Sequence, residues 1–202
     1  MILSLPEKKV IFSFFIGIQA AGGKKYEVLN LGESAYDVDF MIRRYELRGK
    51  KYNPDIIVML LCECDFTELA GVMDRMVDKH EYALLRTGNI TNTMARKAQA
   101  IKEAHDDLIR MTDNRIEAYQ LEKLQEFLKS VDRPVLLLTD DSTSPRGVLE
   151  LRTMTTLRSD IYFSILPAFD RLPDMHPSAE GYRQIAEDIY GDLLRFSIIA
   201  VH

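Results

Sequence analysis

Three short stretches of this chain carry residue types that do chemistry. In Asp174-Met175-His176-Pro177 a carboxylate stands two residues from an imidazole. It can hydrogen-bond one ring nitrogen, fix the tautomer and leave the other nitrogen free as a base. A lone loop histidine is ordinarily just solvated, but Pro177, Ser178, Gly181 and Tyr182 around this one make a more particular pattern. Cys62-Glu63-Cys64-Asp65 ends an apolar run, and Asn30-Leu31-Gly32-Glu33-Ser34-Ala35-Tyr36 follows another. In open α/β sheets ligands gather beyond the carboxyl ends of the strands, so residues in these places belong together.

Cys62 and Cys64 are the only cysteines. On a strand, residues two apart share a face at a separation too long to bridge easily. The expectation is therefore no structural disulfide and a reducing compartment. A zinc site would need further thiolates or a nearby histidine at ligand spacing, so neither metal nor cofactor is expected.

The elements that must position these residues alternate between strand and helix, the order that builds a mainly parallel sheet in an α/β fold. Residues 10–18 and 27–31 read as the first two strands, and residues 56–61, an unbroken Ile/Val/Met/Leu run opened by Pro54-Asp55, as a central one buried on both faces. Residues 135–138 and 160–166 supply the fourth and fifth. Val38, Met41, Ile42 and Tyr45 recur at helical spacing, which predicts an amphipathic helix over 37–49. Residues 91–129 predict one long helix or two in succession, and residues 178–196 a final helix with Pro177 just outside it. Residues 72–89 read as a lid or an irregular insertion.

The chain has 202 residues, 47% of them hydrophobic and 28% charged, enough for a single domain over 1–202 with a substantial core. A net charge of −5 with scattered Lys and Arg gives no footprint for a phosphate backbone, which excludes nucleic acid as the expected partner. Lys8-Lys9, the apolar stretch 10–18 and Ala20-Ala21-Gly22-Gly23 imitate the three regions of a secretory signal. The stretch is too short to span a bilayer and reads as a strand. Cytoplasmic location is the expectation, secretion the alternative if residues 1–22 are a signal peptide.

The segment 172–190, with Asp-x-His-Pro-small-x-x-Gly-aromatic leading into a helix, resembles the last motif of the SGNH or GDSL-type ester hydrolases. Residues 26–36 resemble that family's second motif, and residues 52–65 its third, where Pro-Asp opens a strand ending in Gly-x-Asn-Asp. The resemblance implies a three-layer αβα sandwich of flavodoxin-like architecture, with five parallel strands in the order 2-1-3-4-5. It implies His176 as base, Asp174 as its orienting acid, and Gly32, Ala35, Cys64 and Asp65 around the oxyanion or pocket. The small-molecule partner would be an acyl ester or acylated carbohydrate.

The departures bear on activity. No Gly-Asp-Ser occurs, and the nucleophile's place falls near Phe15, Ile16 or Gly17, so residues 1–25 are atypical. Cys64 stands where the oxyanion asparagine would be, and Ala35 replaces a glycine whose backbone N–H it still supplies. Loss of one oxyanion donor commonly costs about 10²- to 10³-fold in rate. Four readings follow: a carboxylic ester hydrolase; a catalytically inactive relative binding a ligand or partner through the same cleft; a helix-mediated oligomerisation module built on 91–129; and a Cys64–His176 dyad in which the imidazole activates the thiol.

Overall fold

Two segments are apolar without alternation, Ile56–Leu60 (β3) and Val135–Thr139 (β4). Such runs have no polar face to give to water and must lie between two covering layers. In the computed structural model, which describes residues 8–12, 26–32, 37–67, 70–88, 90–112, 115–141, 143–173 and 176–199, they are parallel neighbours, with Ile57 opposite Val135 and Leu60 opposite Leu138. Ile161–Ile165 (β5) extends the parallel sheet beyond β4, Val135 opposite Ile161. On the other side of β3, Lys8–Phe12 (β1) pairs in parallel with both β3 and Tyr26–Asn30 (β2), Val10 lying between Val28 and Ile56. The expected strand 10–18 thus begins two residues earlier, and its residues 13–18 lie outside the described ones.

The expected helix over 37–49 is two pieces, Val38–Arg44 (α1) and a π turn Tyr45–Gly49, and a 3₁₀ turn Lys50–Tyr52 follows it. Asp37 Oδ1 accepts from Phe40 N at 3.0 Å and caps the start. Pro54 disfavours a helical residue before it, and Asn53 takes the left-handed conformation, φ 49°, that asparagine tolerates. A short helix, Cys64–Thr67 (α2), follows β3. Residues 72–87 are not irregular: they lie in a continuous helix, Ala70–Thr87 (α3), and residue 89 of the expected lid or insertion lies outside the described ones. Residues 91–129 divide into Thr93–Thr112 (α4) and Ile116–Ser130 (α5). Pro145–Met154 (α6) went unanticipated, although Ser144 caps it by accepting from Gly147 N and Pro145 opens its first turn. Ala179–Arg195 (α7) is the last helix among the described residues, capped by Ser178.

Two compact units result, one of residues 1–33, 41–63 and 125–202, the other of residues 34–40 and 64–124. In the first, Ile185, Ile189 and Leu193 of α7 pack with Ile56, Val58, Leu136 and Leu138 on one face of the sheet. Strand alternation sends Ile57 and Met59 to the opposite face, beside Met41, Tyr45 and Phe127. The Tyr45 and Phe127 rings meet edge to face at 5.4 Å. The void there, about 20 Å³, has room for one water-sized group. In the second unit, Val72 and Leu108 form a core with Phe40, Met73, Met76, Ile116 and Tyr119 around them. His80 of α3 reaches two carboxylates of α4, Nδ1 to Glu103 Oε2 at 3.1 Å and Nε2 to Asp107 Oδ2 at 2.8 Å.

Candidate functional site at the carboxyl edge of the sheet

The ladder between β4 and β5 continues for one more bond, Leu166 N donating to Thr139 O at 2.7 Å. The chain then loops back to α7. Leu172 N donates to His176 O at 2.8 Å, Ser178 N donates to Asp170 O at 3.1 Å, and Arg171 bridges Pro177 in antiparallel fashion. Ser178 Oγ also donates to Asp170 Oδ2 while accepting from Gly181 N at 3.1 Å. His176, exposed, is thus carried on a loop closed at its base, just before a capped helix.

Arg171 ties that loop to the sheet. Its Nη2 donates to Asp140 Oδ2 at 2.9 Å and Asp141 Oδ1 at 2.8 Å, and its guanidinium lies 4.1 Å from the centre of the Phe169 ring. Burial alone would lower its pKa; the Asp140 and Asp141 carboxylates more than offset this, and it lies above the ordinary arginine value. Because Asp140 is the first residue after β4, the clamp sets the base of the His176 loop at the carboxyl edge of the sheet. Sequence reasoning passed over Arg171. Its signal was available in Asp140-Asp141, two acids directly after an apolar strand, of which the buried Asp140 needs a cation.

Gly32 follows β2 in a side-chain-closed turn, its N–H donating to Asn30 Oδ1 at 2.8 Å, and is half-buried. Asp174 and Ala35 lie outside the described residues, and with them the expected Asp174–His176 hydrogen bond. Asp65 is half-buried in α2, and Cys64, its first residue, is exposed.

The cysteines correct the sequence reading: Cys62 and Cys64 are disulfide-bonded. An extended strand would keep the two apart, but β3 ends at Leu60 and the chain turns at Glu63 into α2. A turn shortens the distance between residues two apart enough for the sulfurs to meet. Cys64 accordingly holds no free thiol in this state for His176 to activate. A sulfur or carboxylate oxygen from each of Cys62, Cys64 and Asp65 lies within 4.8 Å of the others, yet bonded sulfurs offer a metal no thiolate. Glu63, which has no assigned role in the sequence pattern, accepts from Ser144 N at 2.8 Å and joins the end of β3 to the cap of α6.

No family model, curated protein or solved structure matches the chain. No helix among the described residues is long and apolar enough to cross a membrane.

Proposed function

We propose that this chain is built on the SGNH plan, five parallel strands in the order β2-β1-β3-β4-β5 within a flavodoxin-like three-layer sandwich. We further propose that it takes a short-chain acyl ester at the carboxyl edge, with His176 as the base. The observation that carries the reading is the loop 170–181: Asp170, Ser178 and Gly181 close it, Arg171 clamps it beside β4, and an exposed imidazole is held where open α/β sheets collect ligands. Turnover is slow in this reading, because the oxyanion asparagine of the resembled family is replaced by Cys64 and the Gly-Asp-Ser motif is absent.

The test is hydrolysis of p-nitrophenyl acetate by the purified chain. A slow reaction lost in His176→Ala and kept in Cys64→Ser is the expected result. Between Lys8 and Asn30 the sequence holds one serine, Ser13. Loss of activity in Ser13→Ala marks a serine nucleophile, and retention marks water activated by His176. A second reading, an inactive relative that binds an acylated ligand, is favoured by the disulfide that occupies Cys64. Saturable binding of an acylated sugar with no hydrolysis selects it, and neither binding nor turnover ends both readings.

A further inference from the structure

The disulfide at the end of β3 is not needed as a staple. A cross-link stabilises a fold mainly by restricting the unfolded chain, and more so the longer the loop it closes; the loop from Cys62 to Cys64 contains only Glu63. Neighbouring backbone is held by other means. Leu61 N donates to Leu138 O at 2.8 Å, and Thr139 Oγ1 donates to Leu61 O at 2.8 Å.

The two residues differ in exposure, Cys64 being exposed and Cys62 half-buried. Glu63 between them is fixed through Ser144 N at 2.8 Å, which limits how far the two thiols can separate once the bond is cut. A bond contributing little to stability, open on one side and anchored at its centre, has the properties of a reacting disulfide.

We propose that Cys62-Glu63-Cys64 is a reversible dithiol–disulfide centre that exchanges with low-molecular-weight thiols. A thiolate attacks Cys64 Sγ, a mixed disulfide forms there, and the Cys62–Cys64 bond breaks with Cys62 leaving as thiolate and taking a proton. A second thiolate attacks the small-molecule sulfur of the mixed disulfide, releasing the Cys64 thiolate, which is protonated in turn. Two thiols become one small disulfide, and the protein gains two electrons and two protons. Re-oxidation is the reverse, accelerated because the resolving thiol is held close by.

The experiment equilibrates the purified chain in buffers of varied reduced-to-oxidised glutathione ratio, quenches with acid, alkylates and measures intact mass. Both cysteines should convert together in one two-electron transition at millimolar glutathione, with the native circular dichroism spectrum kept throughout. Cys62→Ser should accumulate a glutathione adduct on Cys64, and Cys64→Ser should form its adduct on Cys62 about tenfold more slowly, as its lower access requires. A pair that stays oxidised in excess reduced glutathione, or stays as two alkylatable thiols in excess oxidised glutathione, overturns the proposal. So does an adduct that forms faster on Cys62. If either variant fails to fold, the wild-type titration with peptide mapping of the adduct decides alone.

Discussion

At Gly181 a single oxygen decides which residue fits. A Cβ built there would lie 2.0 Å from the backbone carbonyl oxygen of Asp170, an atom already held by Ser178 N and unable to step aside cheaply. Gly181→Ala should therefore destabilise the chain by about 2 kcal/mol, the cost of overpacking a rigid contact, and pull the Asp170–Ser178 loop open. Chemical denaturation reads the first effect, and faster amide exchange at Leu172 and Ser178 reads the second. His176→Ala should lower stability by no more than about 0.5 kcal/mol, the scale of an exposed position; a large drop would mean that His176 is structural. The motif containing Gly181 was visible in the sequence, but its cause was not, because the steric conflict is with a residue on the far side of a loop. Cys62 and Cys64 show the reverse: their identities were plain, and a wrong local geometry, strand instead of turn, led to a wrong expectation about their bond.

Among elements, continuous apolar character made β3 and β4 readable, and serine, proline and glycine marked the start of α7. Helix α3 was hidden because its inward stripe is diluted: Val72 and Met76 are followed, four residues on, by His80, a polar residue that breaks the apolar pattern. His80 finds its partners on α4, outside the reach of any local pattern. His80→Ala removes both carboxylate contacts and should lower stability by about 1 kcal/mol, with exchange protection falling along α3 and α4; unchanged protection there would show that the contact contributes nothing. Thr139 makes the matching case at the sheet edge. It is fully buried, its hydroxyl donates to Leu61 O at 2.8 Å, and it contacts the Thr143 hydroxyl. Thr139→Val keeps the shape, strands those partners and should cost about 1–2 kcal/mol in a urea titration, whereas a neutral result would show that the hydroxyl contacts are dispensable.

For the whole molecule, two carboxylates pull the pH dependence of stability in opposite directions. Hydrogen bonding to Arg158 holds Asp160 below its ordinary value, so its contribution is present above that value and fades as pH falls through the folded one. Burial, with Asp192 and Glu187 nearby, pushes Asp188 up. The sign reverses: its contribution is present at low pH and lost as pH rises through the folded value, leaving an ionised Asp188 that opposes folding at neutral pH. Asp188→Asn should raise stability by about 0.3 kcal/mol near neutrality, the scale of like-charge helix pairs. The gain should vanish in acid, and an equal gain at both pH values would refute the assignment. The order of apolar runs and amphipathic stretches was sufficient for an α/β chain with a parallel sheet, because burial on two faces and burial on one leave different periodicities in the residues themselves. Folding alone decided the rest: the Arg171 clamp, the Glu63–Ser144 contact and the carbonyl oxygen facing Gly181. Each joins residues brought together by strand pairing or loop closure, and such pairings leave no local period in the chain.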